Sequence, residues 1–283
     1  MDREFIVSIF GVGCYVVASL LAMASLLGYR PKGERAAITL MIFGAVILAG
    51  VLVLRGAGFT AIPGFNRFDA MTLYALALSG AYGIWSVYRY TRGIAGILIP
   101  YATLLLLCGI SAFKQEAGAP AQLQGAVMML HVATAYAAFG VFTLASISAV
   151  IYLMQDSNLK NKRFGVVWER LPSLESLDHI MSRLVGVAFL LLTVSIVIGF
   201  MLVCELGGGD EWVRDPKVVA TAILWILLAV FVHLRASSDR HGRGIALVAV
   251  FGLGCLLFAF MGVHLVAPSL HAFIQMGLGA GGP

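Results

Sequence analysis

The chain contains eight apolar stretches, each long enough to cross a membrane as a helix. They occupy residues 5–28, 37–54, 70–88, 94–113, 125–154, 184–205, 217–235 and 243–266. About 20 residues span a hydrocarbon layer of roughly 30 Å as a helix. The runs are continuous, whereas the strands of a membrane barrel would alternate apolar and polar residues over about ten positions. The sequence therefore predicts an all-α, polytopic membrane bundle of about eight transmembrane helices, with residues 1–283 forming a single membrane domain.

The composition excludes an ordinary water-soluble domain. Apolar residues make up 60% of the chain and charged residues 12%, and the mean hydropathy is +0.95.

The first apolar run resembles a signal peptide in position only. Its leading residues, 1–4, carry no net positive charge, the run is longer than a signal peptide core, and the basic residues Arg30, Lys32 and Arg35 follow it. We therefore expect this segment to stay in the mature protein.

Basic residues are distributed unevenly between the two sides of the predicted bundle. Of the 19 Lys and Arg residues, thirteen occupy alternate connections and six lie on the opposite face. Excess Lys and Arg stay on the cytoplasmic side, so both termini are predicted to be extracytoplasmic. The net charge of +5 is explained by this topology and by attraction to anionic membrane lipid. Nucleic acid is therefore not an expected partner.

Two histidines lie beside apolar segments whose ends are predicted to share the outer face. His131 stands near the start of the fifth span, and His271 follows the eighth span after a break at Pro268. Imidazoles at a bilayer boundary are uncommon, and two that converge across a bundle suit axial ligation of a haem iron. We predict that His131 and His271 are the metal ligands. The alternative for His131 is a structural imidazole that hydrogen-bonds a backbone carbonyl or a tyrosine.

The outer connection 206–217 contains residues that could support such a ligand. Three consecutive glycines allow close approach of the backbone, and Trp212 offers an aromatic face for a porphyrin edge. Asp215 is either part of this support or simply the N-cap of the seventh span. Arg214 and Lys217 are candidates to pair with haem propionates, or are solvated flanks. The connection is therefore a candidate cofactor-binding segment.

The remaining histidines have simpler alternative interpretations. His264, seven residues before His271, either lines the same cavity or is a buried, hydrogen-bonded side chain. His233 is at the inner end of the seventh span, a position that the helix dipole alone favours. His179 and His241 are expected to be interfacial and loop residues without a ligand role. The four cysteines form no CxxC or CxxCH motif, so any haem is expected to be held non-covalently.

Taken in order, these motifs resemble the cytochrome c assembly protein family, the haem-handling membrane proteins of the CcsA, CcmC and HemX types. The matching segments are Leu130-His131-Val132, Trp212 with Asp215-Pro216-Lys217, Leu224-Trp225, His233-Leu234-Arg235, Gly262-Val263-His264-Leu265 with Leu270-His271, and Leu177-Asp178 with Arg183. The resemblance covers residues 70–275. Within the family, the length and the single tryptophan of the outer connection look most like the HemX or YpjD-like branch.

The resemblance implies a role for each matching residue. His131 and His271 would ligate haem b beneath a tryptophan-rich "WWD" loop, represented here by a degenerate segment that keeps Trp212 and Asp215. His233 matches a histidine that serves other members as an inner haem ligand. The implied function is haem handling in cytochrome c assembly or haem trafficking, without the chain needing to be an enzyme. The implied setting is a bacterial inner membrane, with cytochrome c assembly or haem-biosynthesis proteins as partners.

Two other functions are compatible with parts of the sequence. The cytoplasmic connection 155–183 carries a basic patch from Lys160 to Arg170 and a possible short interfacial helix at Pro172, so it could bind a haem-biosynthesis enzyme and regulate it. A small-molecule transporter would require ionisable residues near mid-bilayer and broken helices. Because the spans are almost free of charged residues, the transporter is the less favoured alternative.

Overall fold

The computed structural model describes residues 3–30, 32–58, 67–88, 93–111, 113, 125–162, 165–205, 215–237 and 242–262. These residues form nine α-helices and a π-helical turn, and within them there is no β-strand. The helices are α1 (Arg3–Leu26), α2 (Gly33–Gly58), α3 (Arg67–Tyr88), α4 (Ala95–Ile110), α5 (Ala126–Lys160), α6 (Val166–Arg170), α7 (Leu174–Glu205), α8 (Pro216–Ser237) and α9 (Arg243–Leu257), followed by the π-turn Phe258–Gly262. The prediction of an all-α, polytopic membrane protein is confirmed.

Seven of the described helices are long and apolar enough to cross a membrane. The expected count of eight includes α4, which is apolar but has only 16 residues. A helix of this length rises about 24 Å, less than the roughly 30 Å of a typical hydrocarbon core. The fourth predicted span, 94–113, is therefore shorter in the structure than in the sequence-based prediction.

The long helices pack as two four-helix bundles. In the first bundle, α1 packs on α2, α2 on α3, α3 on α4, and α4 back on α1. In the second bundle, α5 packs on α7, α7 on α8, α8 on α9, and α9 back on α5. The most apolar window of α5 is 67% buried, compared with 17% for α7, because α5 also packs against α3 of the first bundle. Helix α5 is therefore the central element of the molecule.

The junction between the bundles depends on a close contact between α3 and α5. A Cβ atom at Gly140 of α5 would lie 2.5 Å from the carbonyl carbon of Ala77 and 2.6 Å from the nitrogen of Leu78. Beside this contact, the hydroxyl groups of Tyr74 and Thr143 are hydrogen-bonded at 2.6 Å. Small residues allow membrane helices to approach in this way. Gly140 therefore fixes the depth and orientation of α5 against the first bundle.

Helix α6 lies against the first bundle at the end predicted to be cytoplasmic. Arg170 donates a hydrogen bond from Nη1 to the carbonyl of Ser25 at 2.7 Å. Val166 packs against Gly28, where an added Cβ would lie 2.9 Å from its Cγ1 atom. The connection after α1 and the connection after α5 are therefore on the same face, as the alternating charge pattern requires. The assignment of that face to the cytoplasm stays a prediction, and it is by this prediction that the two ends of the molecule are called inner and outer.

The helices around this connection extend further than predicted. Helix α5 continues to Lys160, past the predicted span end at residue 154, and α7 begins at Leu174 instead of residue 184. The short helix is Val166–Arg170, so the expectation of a separate helix starting at Pro172 is wrong.

The residues after Pro172 join α7 for two local reasons. The backbone nitrogen of Ser176 donates to the Ser173 hydroxyl at 3.3 Å, which caps the helix N-terminus. Buried apolar residues then recur at helical spacing, at Leu177, Ile180 and Leu184. The amphipathic turn recognised in the sequence is therefore the first part of a transmembrane helix.

Candidate functional site

His131 lies in the second turn of α5 and its half-buried ring faces α7. Its Nδ1 atom is 2.9 Å from the carbonyl oxygen of Ser195, a residue that is 2% exposed. Because a carbonyl oxygen can only accept, Nδ1 is the protonated nitrogen, and in the neutral ring the lone pair is on Nε2. Metal-binding histidines commonly donate their other N–H to a carbonyl in this way. The geometry suits a ligand, and it equally satisfies the alternative of an imidazole bonded to the backbone.

The His131 ring occupies a space that only glycine leaves open on α7. A Cβ atom at Gly199 would lie 2.8 Å from Cε1 of His131 and 3.1 Å from Nδ1. The hydroxyl of Ser195 lies 3.3 Å from Nδ1 and 3.2 Å from the His131 carbonyl oxygen. The α5–α7 contact is therefore shaped around this imidazole. Sequence analysis missed both Ser195 and Gly199.

Helix α9 runs antiparallel to α5 toward the end of the bundle that holds His131. From the inner end outward, the contacts are Ser146 Oγ to the Ala249 carbonyl at 3.2 Å, the Phe142 ring to Gly252, and the Phe260 ring centroid 5.8 Å from that of Tyr136. Tyr136 is little more than one helical turn from His131. The described part of the chain thus ends, at Gly262, close to the outer end of α5.

An aromatic cluster lies beneath His131, between the two bundles. It consists of Tyr74, Tyr136, Phe139 and Phe260, with edge-to-face ring centroids 5.2 to 6.4 Å apart. Such contacts stabilise a pair by about 0.5–1.5 kcal/mol beyond area burial. The cluster holds the π-turn after α9 against α5. The sequence offers no signal for it, since its rings come from three distant segments.

Asp215 acts as the N-cap of α8. Its Oδ1 atom accepts a hydrogen bond from the backbone nitrogen of Lys217 at 2.7 Å, and its carbonyl accepts one from Val219 at 3.0 Å. The side chain is buried, with 2% of its residue surface exposed. The capping interpretation is confirmed. A role of Asp215 beside haem stays a prediction.

The other candidate histidines are not brought to His131 by the described residues. His233 is exposed in the last turn of α8, at the opposite end of the second bundle. Near that end, Arg235 of α8 forms an ion pair with the buried Asp178 of α7. His179 is exposed, 4.0 Å from Glu175. Within the described ranges, no group of three or more His, Cys, Asp or Glu residues is arranged to hold a metal.

Several residues discussed from the sequence lie outside the described residues, among them Trp212, Arg214, His241, His264 and His271. The pairing of His131 with His271 therefore stays a prediction, as does the arrangement of the 206–217 connection. Where the structure does describe the predicted site, it provides a histidine whose Nδ1 atom donates to a backbone carbonyl at one end of a bundle.

Fold and site together define a multi-pass helical membrane protein with an ordered histidine at one end of its second bundle. A family model described as cytochrome c assembly protein matches residues 65–271. The chain belongs to the cytochrome c assembly protein family, which confirms the resemblance inferred from the motifs. The match extends from just before α3 through the whole second bundle and ends at His271.

Curated relatives match this chain over shares of their own length that range from about a third to nearly all. A cytochrome c biogenesis protein CcsA from Thermosynechococcus vestitus is 25% identical over 251 residues, covering 73% of this chain and 78% of the relative. A protein of the same name from Porphyra purpurea is 26% identical over 306 residues, covering 93% and 95%. A third, from Parasynechococcus marenigrum, is 39% identical over 104 residues, covering 37% and 34%. The assignment to a HemX or YpjD-like branch stays a prediction.

Proposed function

We propose that this protein handles haem during cytochrome c biogenesis and holds haem b non-covalently at the outer end of its second bundle. The relatives named above are cytochrome c biogenesis proteins, and the family match spans this bundle. His131 and His271 are the proposed axial ligands, with Trp212 and Asp215 in the supporting connection. The observation that carries the proposal is the bond between His131 Nδ1 and the Ser195 carbonyl, because it leaves the lone pair on Nε2.

The residues present fit a haem group in two respects. Haem, when bound, would supply an iron that accepts imidazole nitrogens as ligands. With Nδ1 donating to the Ser195 carbonyl, Nε2 is the ring nitrogen of His131 that would bind the iron, and the nearby aromatic rings provide an apolar surface suited to a porphyrin. The nine-residue step from Gly262 to His271 is long enough to return to His131, since an extended chain covers about 3.3–3.6 Å per residue.

The test is the haem content of the detergent-purified protein. His131→Ala and His271→Ala are each expected to remove most of the Soret absorbance per mole of protein. His179→Ala is the matched control, because His179 is an exposed histidine at the opposite end of the bundle. His264→Ala and His233→Ala extend the series to the other two candidate ligands. Haem content unchanged in both His131→Ala and His271→Ala would show that the ligand assignment is wrong.

A second candidate function is regulation of a soluble haem-pathway enzyme through the connection between α5 and α7. The favouring observation is that Lys160, the last residue of α5, and Lys162 just after it are exposed. Lys160 pairs with Asp156 at 2.8 Å, so part of its charge is already neutralised. Co-purification of such an enzyme that is lost in Lys160→Gln/Lys162→Gln, with haem content unchanged, would favour regulation over haem delivery.

The proposed setting is the cytoplasmic membrane of a bacterium. The seven long apolar helices establish a multi-pass membrane protein, and the relatives include cyanobacterial ones. We expect membrane lipid to surround the helices and cytochrome c assembly proteins to be the protein partners. Fusions of a periplasm-sensitive reporter to the chain after α2 and after α3 would test the predicted orientation, since only the former should be active.

A further inference from the structure

We infer that Ser195 and Gly199 of α7 are positioning residues that fix the tautomer and the ring orientation of His131 before haem binds. The inference rests on the proposed function, because it concerns how the outer ligand is presented. It goes beyond that function by assigning roles to two residues that carry no metal-binding group. Both lie in an apolar transmembrane helix, more than sixty positions along the chain from His131.

The first part of the argument concerns the acceptor. In an α-helix, the carbonyl of residue 195 is the helical partner of the N–H of residue 199. The carbonyl of Ser195 also accepts the Nδ1–H of His131 at 2.9 Å, so one oxygen serves two donors through its two lone pairs. The helix therefore provides a fixed acceptor for the imidazole at no loss of its own backbone bonding. This acceptor defines which nitrogen of His131 is protonated.

The second part concerns access to that acceptor. The Cε1 edge of the imidazole faces Gly199, where an added Cβ would lie 2.8 Å from Cε1, 3.1 Å from Nδ1 and 3.6 Å from Nε2. Separations under about 3 Å do not occur between such atoms without movement of one of them. Glycine therefore leaves the space through which the ring reaches the carbonyl. A methyl group at this position would push the ring off α7.

The third part concerns the Ser195 hydroxyl. Many hydroxyl groups in this bundle bond to the carbonyl four residues earlier in their own helix, as Ser148 and Thr193 do. The hydroxyl of Ser195 instead lies 3.2 Å from the His131 carbonyl oxygen and 3.3 Å from Nδ1. It links the backbone of α5 to the same turn of α7 that holds the ring. Both the ring and its own backbone are thus tied to one helical turn.

These contacts have a measurable consequence for the proposed ligand. Outer-shell partners that orient a metal-binding histidine commonly change metal affinity by about 10–100-fold when they are mutated. Gly199→Ala is expected to weaken haem affinity by about 10–100-fold, because it displaces the His131 ring and therefore the proposed ligand atom Nε2. Ser195→Ala keeps the backbone carbonyl and is expected to weaken affinity by only about fivefold, the effect of one ordinary hydrogen bond.

The experiment compares Gly199→Ala with Gly186→Ala in the purified full-length protein. Gly186 is on the same helix, and a Cβ added there would meet nothing within 4 Å. Haem affinity by titration and the electron paramagnetic resonance signature of the ferric protein are measured for both. Gly199→Ala should lower the affinity and shift the signature, whereas Gly186→Ala should change neither. Ser195→Ala is the second variant if Gly199→Ala does not fold.

A background of His131→Gly with free imidazole separates positioning from simple disruption of the fold. Free imidazole is not tethered to α5, so it should restore haem binding to His131→Gly and to His131→Gly/Gly199→Ala about equally. A haem-free readout is the apparent melting temperature. Gly199→Ala should lower it in the wild-type background and have a much smaller effect when His131 is already glycine, because the collision involves the His131 ring.

The outcomes distinguish the two proposals. If His131→Gly loses haem while Gly199→Ala and Ser195→Ala both behave like Gly186→Ala, positioning by α7 is wrong and the proposed function stands. If His131→Gly binds haem as tightly as the wild type, the assignment of His131 as a haem ligand is wrong and the inference fails with it. If Gly199→Ala lowers haem affinity equally with tethered and with free imidazole, its effect is structural and the inference is overturned.

Discussion

The two bundles share an architecture of four helices in a ring, but they differ in how completely they are closed. In the first bundle, the most apolar windows of α1, α2 and α3 are 39 to 44% buried, whereas those of α7, α8 and α9 in the second are 17 to 28% buried. Polar side chains also link helices within the first bundle, as in the 2.7 Å bond between the hydroxyls of Tyr15 and Ser79. These three helices of the second bundle are therefore less enclosed than those of the first, whereas α5 is the most buried of the seven long helices.

The outer end of the first bundle shows the same closure. Arg55 at the end of α2 bonds to Asp69 at the start of α3 at 3.2 Å. Its guanidinium also lies over the ring of Phe113, 4.6 Å from the centroid. At the corresponding end of the second bundle, the described residues place a half-buried histidine instead of an ion pair. The family match begins at residue 65, so it covers α3 and α4 of the first bundle as well as the whole second bundle.

The largest expected effect separates the bundles by their role in haem binding. His131→Ala should abolish most haem binding, because it removes the proposed ligand, while leaving most of the protein folded. Tyr15→Phe should do the reverse, lowering the free energy of unfolding by about 1 kcal/mol through loss of a buried hydrogen bond, with haem content unchanged. Absorbance spectra and thermal unfolding in detergent measure the two effects. Haem loss in Tyr15→Phe equal to that in His131→Ala would remove the functional distinction between the bundles.

The next largest effect tests whether the bundles act as one body. Gly140→Ala places a methyl group against the backbone of α3 and is expected to destabilise the protein by about 3 kcal/mol. The control is Gly80→Ala on α3, where an added Cβ meets nothing within 4 Å. Thermal unfolding of both variants provides the comparison. Equal melting temperatures for the two would show that the α3–α5 contact is not as close as described.

A smaller effect concerns the closure of the first bundle at its outer end. Arg55→Gln leaves the carboxylate of Asp69 without its charged neighbour and should lower the free energy of unfolding by about 2 kcal/mol. The double variant Arg55→Gln/Asp69→Asn should recover part of that loss, because the buried carboxylate of Asp69 is then removed as well. Haem content should stay at the wild-type level in both. A double variant less stable than Arg55→Gln would contradict this account of the ion pair.

The smallest effect decides whether Asp215 is more than a helix cap. Asp215→Ala should cost about 1 kcal/mol of stability, and Asp215→Asn should cost little, since asparagine caps helices as well as aspartate does. Haem titration of both variants supplies the discriminating measurement. If Asp215→Asn is as stable as the wild type but binds haem more weakly, the negative charge of Asp215 has a role in the site.

The sequence predicted the helices well because a continuous apolar run of this length forms an α-helix in a bilayer. It was least accurate where helices leave the membrane. Hydropathy reports only the apolar part of a helix, so the polar ends of α5 up to Lys160 and of α7 from Leu174 were assigned to a connection. For α4 the predicted span was too long instead of too short, because the apolar run continues beyond the last helical residue, Ile110.

For the site, the sequence indicated His131 but not the residues that orient it. A histidine near the end of an apolar run is conspicuous by its chemistry. Ser195 and Gly199 are not, since serine and glycine are common in transmembrane helices and serine can bond to its own backbone. Only the pairing of α5 with α7 in three dimensions shows that these two residues serve His131.

The contact of Arg170 with Ser25 limits how the molecule can open. It ties the α5–α7 connection to the first bundle at the inner end, in addition to the attachment at Gly140. Two rigid bodies joined at two separated points cannot swing apart about either one. Among the contacts described, α8 has no such anchor, whereas the Phe260 ring after α9 packs on Tyr74 of α3. Helix α8 is therefore the helix of the second bundle that is held least against the first.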